Sequence, residues 1–225
     1  MDFIRSLLDY VLHLDTHLAE LTSEYGAWTH GILAGILFCE TGLVVTPFLP
    51  GDSLLFAAGS LAALPESGLN VLYLYPLLLA AVFLGDNANY WAGHHFGRRI
   101  FKPDARILKI EYLRRTEHFY ARYGGKTVIL ARFVPIVRTY APFVAGAGAM
   151  PYRRFLGFSI AGSLLWITLF LWGGYFFGNI PFVKDNFGLV VIAIILLSVL
   201  PAVIEVLKAR RERRRAPTPE APVRP

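Results

Sequence analysis

The stretch Arg132-Phe133-Val134-Pro135-Ile136-Val137-Arg138-Thr139-Tyr140-Ala141-Pro142-Phe143-Val144 places two arginines and two prolines inside an apolar, glycine-flanked run that extends from Thr127 to Met150. In a soluble protein this would make an odd core strand. Two cations at hydrocarbon depth, with helix breakers beside them, point instead to a binding site within a membrane protein.

Composition supports the membrane setting. The chain has 225 residues, 55% of them hydrophobic and 17% charged, with a mean hydropathy of +0.49. Soluble domains are roughly 45–50% apolar and about 25% charged. Apolar runs near the ~20 residues needed to cross a bilayer recur along the chain. A net charge of +6 raises the question of nucleic acid. The positive residues collect beside apolar segments, however, which fits the positive-inside rule better. The single cysteine, Cys39, excludes an internal disulfide. The N-terminal stretch carries acids through its apolar positions, so no cleavable signal peptide is expected.

Outward from the arginine stretch, residues 1–26 read as an amphipathic helix. It either lies at the membrane interface or caps the bundle. From Trp28 to Ala63 the apolar chain is broken by Glu40, Gly42, Pro47, Pro50, Gly51 and Asp52. Broken backbone at membrane depth survives only inside protein or beside a wet cavity. A re-entrant hairpin over about 28–63 fits best, with two ordinary short helices as the alternative. Residues 71–96 form a full span carrying Asp86, Asn87 and Asn89. The basic segment 98–124 reads as a cytoplasmic amphipathic helix against lipid headgroups. Residues 126–150 form the second hairpin, 155–178 and 187–207 are spans, and 208–225 is a disordered basic tail. With 98–124 and the tail inside, the C-terminus is cytoplasmic and the two hairpins enter from opposite faces.

A faint repeat underlies this layout. Pro50-Gly51-Asp52-Ser53-Leu54-Leu55-Phe56-Ala57-Ala58-Gly59 is echoed by Arg138-Thr139-Tyr140-Ala141-Pro142-Phe143-Val144-Ala145-Gly146. Likewise Trp91-Ala92-Gly93-His94-His95-Phe96-Gly97 is echoed by Trp172-Gly173-Gly174-Tyr175-Phe176-Phe177-Gly178. A broken hairpin followed by a glycine-bearing span, twice and in opposite senses, predicts an inverted repeat. That architecture belongs to secondary transporters with a midplane site. The fold class expected is therefore an all-α integral membrane protein: an inverted repeat of re-entrant helical hairpin plus transmembrane helix, with interfacial amphipathic helices. The transport core spans 27–180.

Four charges lie within the two hairpins: Glu40 and Asp52 in the first, Arg132 and Arg138 in the second. Each costs at least about 2.5–3.5 kcal/mol at the bilayer centre unless it pairs or meets water. Opposed hairpins would bring the acids against the arginines. Buried salt bridges that merely lock the fold are one reading. Such pairs often stabilise less than apolar packing would, and arginine is the preferred bidentate ligand of phosphate. The other reading is a phosphate-bearing substrate held by Arg132 and Arg138 and exchanged against protons carried by Glu40 and Asp52. Asp86, Tyr90, Thr139 and Tyr140 are candidates for a supporting role. His94 and His95 are adjacent on a helix and point about 100° apart, so they make a poor joint metal site. No cofactor or metal is called for. The chain has no Gly-x-Ser-x-Gly elbow, no Walker loop and no His-Glu-x-x-His, which points away from an enzyme.

These residues resemble a known family. Gly125-Lys126, the Arg132–Arg138 motif, Pro142, Ala145-Gly146, Met150 and Phe155 look like the signature of DedA-family membrane proteins, also described as carrying the SNARE-associated or VTT domain. Glu40, Pro50-Gly51-Asp52, Ala58-Gly59, Gly85-Asp86, Tyr90 and Gly93 fit its first half. One departure is His94, where many relatives carry arginine or lysine. The resemblance implies re-entrant hairpins, a bacterial inner-membrane location and lipid translocation. It casts Glu40, Asp52, Arg132 and Arg138 as the functional residues, and makes undecaprenyl phosphate, moved at the expense of the proton motive force, the favoured substrate. The partners expected are the membrane and a polyprenyl phosphate or phospholipid, with no nucleic acid; homo-oligomerisation stays open. The alternatives are a proton-coupled cation or drug antiporter and a structural scaffold.

Overall fold

The computed structural model describes residues 14–43, 51–97, 110–194 and 196. Within them the chain is helical and contains no strand. Helices α1 (Leu14–Tyr25) and α2 (Trp28–Gly42) are joined through Gly26 at φ +53°. Next come α3 (Gly51–Ala62) and α4 (Val71–Phe96), then α5 (Ile110–Tyr123), α6 (Thr127–Ala131) and α7 (Pro135–Val144). Last are α8 (Tyr152–Phe177), α9 (Pro181–Asp185) and a helical run over 187–194. The first half of the N-terminal helix, the tip at 44–50, the basic run 98–109 and most of the 187–207 span with its tail lie outside the described residues.

Two helices, α4 and α8, are each 26 residues long and apolar enough to cross a membrane. Their outer faces carry exposed Leu72, Leu84, Leu165 and Leu169, the arrangement expected where the surrounding solvent is lipid. The chain is thus an all-α integral membrane protein. Asn70 starts α4: its side-chain oxygen accepts from the Leu72 N–H at 2.9 Å, filling one of the donors a helix N-terminus leaves open.

The segment around the arginine motif breaks where its prolines dictate. Helix α6 stops at Ala131. Val134 is extended at φ −124°, ψ 101°, as a residue before proline prefers, and Pro135 opens α7 at a position where its missing N–H costs nothing. Helix α7 then widens into a π-turn over Ala145–Ala149. Gly148 closes the turn at φ +119°, a conformation that L side chains rarely adopt.

Close glycine contacts join the elements in a repeated way. A Cβ on Gly59 of α3 would overlap the carbonyl of Leu171 in α8, and one on Gly174 of α8 would overlap that of Phe56 in α3. Likewise a Cβ on Gly146 would overlap the Tyr90 carbonyl of α4, and one on Gly93 of α4 that of Phe143 in α7. Gly59 and Gly146 match in the echoed segments, as do Gly93 and Gly174. Helix α3 therefore packs on α8, and the end of α7 on α4, backbone to backbone, at distances only small residues allow. The main core, with Leu33, Leu37, Leu55, Leu74, Leu78 and Trp166, sits among α2, α3, α4 and α8. A second cluster joins Tyr90, Val128, Ala145, Met150 and Phe155.

Candidate functional site

Two ion-pair clusters occupy the interior. In the first, Arg138 of α7 lies between two acids. One guanidinium nitrogen donates to Asp52 Oδ1 at 2.8 Å and the other to Glu40 Oε1. Glu40 comes from α2, Asp52 from the first turn of α3, and Arg138 from the first turn of α7. Gly51 lies so close to the Glu40 carboxylate that a Cβ there would overlap it, which explains a Gly-Asp sequence at this helix start. Trp166 of α8 completes the group: its indole Nε1 donates to Asp52 Oδ1 at 2.8 Å. The Arg138 guanidinium carbon stands 5.4 Å from the centroid of the same indole, within cation–π range.

In the second cluster, Arg132 donates to Asp86 of α4 and, at 2.7 Å, to the Ser163 hydroxyl of α8. Ser159, one turn earlier, donates to the same Asp86 oxygen. Arg132 lies 5.9 Å from the Trp166 centroid, so the two arginines share one indole as a neighbour. Among the described residues, one cation here faces one carboxylate, and in the first cluster one cation faces two.

Arg138, Glu40 and Asp52 thus come together, while Arg132 pairs with Asp86. Of the residues expected to support the site, Asp86 is the counter-ion just described. Thr139 takes part through its backbone: Asn89 Nδ2 donates to the Thr139 carbonyl at 2.8 Å and to the Thr41 carbonyl at 2.9 Å. A single amide from α4 therefore ties the end of α2 to the start of α7, beside Glu40 and Arg138. Tyr140 is fully buried. Tyr90 lies with aromatics, its hydroxyl donating to the Met150 carbonyl at 3.0 Å and its ring stacked 4.6 Å from Phe155. His94 and His95 are exposed near Trp91, and among the described residues no group of His, Cys, Asp and Glu is arranged to hold a metal.

Three residues of these clusters were not singled out from sequence: Trp166, Ser159 and Ser163. A signal existed for all three. Ser159, Gly162, Ser163 and Trp166 fall at i, i+3, i+4 and i+7, a small-polar stripe along one face of an otherwise apolar span.

Outside the spans, the Tyr120 hydroxyl of α5 donates to the Ala141 carbonyl at 2.9 Å, clamping α7 beside Pro142. Burial, reinforced by Asp86 and Tyr90, pushes this phenol well above its usual range, so it remains a donor.

Apolar helices long enough to span a membrane, packed around buried ion pairs, define an all-α integral membrane protein. The VTT domain family matches residues 49–176. Protein DedA of Escherichia coli (strain K12) is 55% identical over 217 residues, covering 96% of this chain and 99% of that protein. The uncharacterized membrane protein Rv0364 of Mycobacterium tuberculosis (strain ATCC 25618 / H37Rv) is 42% identical over 196 residues, 85% of this chain and 86% of its own. Inner membrane protein YghB of Escherichia coli (strain K12) is 32% identical over 179 residues, 79% and 78% respectively. The chain belongs to the DedA family of VTT-domain membrane proteins. These relatives, with the two spanning helices, support an inner-membrane location. No solved structure matches the chain.

Proposed function

We propose that the protein is a flippase that moves a phosphate-headed lipid, undecaprenyl phosphate foremost, across the inner membrane with proton coupling. The observation that carries this reading is Arg138 held between Glu40 and Asp52. One guanidinium cannot neutralise two carboxylates. Among the described residues the cluster carries a surplus negative charge or a proton, and a surplus charge out of water is costly. A phosphate arriving at Arg138 competes with both acids for the same donors. Its binding is favourable once Glu40 and Asp52 take up protons, because a protonated carboxyl no longer repels the anion or claims the arginine. Loss of those protons on the other side returns the acids to Arg138 and expels the lipid. Across Trp166, Arg132 backs this site as a secondary phosphate ligand, held more firmly than Arg138 by its resting partner Asp86. Tyr140 and the Thr139 backbone hold the first turn of α7 in place.

The layout that goes with this mechanism is an inverted repeat. Segments 28–63 and 126–150 act as re-entrant hairpins from opposite faces, within a transport core over 27–180. The segment 98–124 and the C-terminus are cytoplasmic. The reciprocal close contacts of Gly59 with Leu171 and Gly174 with Phe56, and of Gly93 with Phe143 and Gly146 with Tyr90, support this reading. Two acids on one arginine also suit proton-coupled export of a cation, in which the arginine only balances charge.

The test uses purified protein in liposomes with a fluorescent polyprenyl phosphate and an imposed pH gradient. Arg138→Ala and Glu40→Gln should each fall to background flipping. Wild-type rates in both variants would overturn the mechanism. Pumping of an organic cation, with no lipid movement, would favour the antiporter.

A further inference from the structure

A cavity of about 370 Å³ lies beside the arginine site, within the ~300–1,000 Å³ typical of ligand pockets. Phe56 of α3, Phe133 between α6 and α7, Leu169, Phe170 and Gly173 of α8, and the 187–194 run line it, and Leu169 opens it towards the lipid-facing side. None of these side chains offers a charge or a hydrogen bond. Yet the cavity is joined to the charges at two points. Phe133 is covalently next to Arg132, and Phe170 meets Trp166 edge-on with ring centroids 6.5 Å apart. Trp166 in turn bonds Asp52 and neighbours both guanidinium groups. Apolar wall and ionic site therefore share one boundary, made by Phe133, Trp166 and Phe170.

We infer that this cavity holds the hydrocarbon chain of the amphiphile whose phosphate binds Arg138; the inference rests on the phosphate reading of that site. A lipid whose head enters a polar interior cannot take its chain there, because ionic groups lose solvation against hydrocarbon and the chain gains nothing from them. It needs an apolar surface contiguous with the head site, and the cavity supplies one from both halves of the chain, Phe56 from the first and Phe133 from the second. Gly173 is the point of control. A Cβ there would meet no heavy atom within 4 Å, so a larger side chain fills the cavity without displacing backbone. Gly157, on the same helix, is equally open but does not line the cavity.

The experiment titrates the purified full chain, in one non-ionic detergent, with inorganic phosphate, butyl phosphate and dodecyl phosphate, and reads bound adducts by native mass spectrometry. In the wild type and in Gly157→Leu, dodecyl phosphate should bind at least about tenfold more tightly than butyl phosphate, since burying chain methylenes adds affinity. In Gly173→Leu that ratio should shrink towards one while inorganic phosphate binds as before. An undiminished ratio in Gly173→Leu overturns the inference. So does a wild-type dimer that Gly173→Leu converts to monomer with the ratio unchanged, because the cavity would then be a contact between copies. Arg138→Gln separates the two readings. If it leaves phosphate binding intact while Gly173→Leu still lowers the ratio, the head-site proposal falls and the chain site stands. If no phosphate binds the wild type, both fall.

Discussion

The two buried arginines differ in how their charge is met. Arg132 faces one acid, Asp86, with Ser163 and Ser159 donating or accepting around the pair. Arg138 faces two, Glu40 and Asp52, with the Trp166 indole sharing Asp52. The anchoring differs as well. Asp86, Ser159 and Ser163 project from the long continuous helices α4 and α8. Glu40, Asp52 and Arg138 all sit within a turn or so of a helix end, at the end of α2 and the starts of α3 and α7. A balanced pair on rigid spans has little reason to let go. An over-supplied cation at three helix ends can trade partners for little backbone movement. The contrast suggests a latch beside an exchange site, six residues apart in the sequence.

The largest effect on transport should come from changing geometry while keeping charge. Lysine cannot reproduce the forked donation that spans two carboxylates. Arg138→Lys should lower lipid flipping in liposomes by about 100-fold, the loss expected for one or two hydrogen bonds to charged groups. Arg132→Lys, which needs to satisfy only one acid, should keep most of the activity. Equal losses in the two variants would break the comparison and make the arginines one site.

The largest effect on stability should come from the latch itself. Asp86→Ala leaves Arg132 buried without a counter-charge, a change that typically costs about 3–5 kcal/mol. A fall of that order in unfolding free energy in detergent is expected. Asp86→Asn combined with Arg132→Gln should recover most of the stability, because neutral groups of similar shape remove the stranded charge. Failure of the double variant to recover would show that the pair does more than balance itself.

How far these roles were readable from sequence depends on what each residue contrasts with. Arg132 and Arg138 stand out because charge inside an apolar run is costly and rare, and the spans of α4 and α8 because apolar character continues without interruption. The pairing was not readable. Arg138 and Glu40 are 98 residues apart, and their meeting depends on how α2 and α7 both dock on α4, where Asn89 ties them. From spacing, Arg132 and Arg138 had the same claim on Glu40 and Asp52. Asp86 wins Arg132 because Ser159 and Ser163 on the neighbouring span build a polar niche there. Serine and tryptophan are unremarkable in a membrane span, so only the face they share sets them apart. The echo between the halves was faint in residue identity because it is carried by glycines, whose role is to let backbones touch.

A smaller effect should follow at the boundary between the clusters. Trp166→Phe keeps an aromatic face toward both arginines but removes the indole donor to Asp52. Losing a hydrogen bond to a charged group costs about 1.5–3 kcal/mol, here at the exchange site alone. Flipping should become less steeply dependent on the imposed pH gradient, with the unfolding cost of Asp86→Ala unchanged. An altered Asp86→Ala cost in the Trp166→Phe background, measured as a double-mutant cycle, would mean the indole couples the clusters instead of separating them.

The smallest effect tests whether α7 is held from outside the membrane. Tyr120→Phe removes one hydrogen bond to the Ala141 carbonyl, worth about 1 kcal/mol. Its signature lies in pH. Burial raises the Tyr120 phenol above its usual range, so the folded state retains the proton at pH values where the unfolded state releases it. The stabilisation is complete below the unfolded value of about 10 and declines as pH rises beyond it. Chemical unfolding of the wild type should therefore show a loss of stability above about pH 10, and Tyr120→Phe should lack Tyr120's share of that loss. The flipping rate between pH 6 and 8 should have the same pH profile in both, since Tyr120 does not titrate there. A profile that shifts in this range would move Tyr120 out of the clamp on α7 and into the path of the proton.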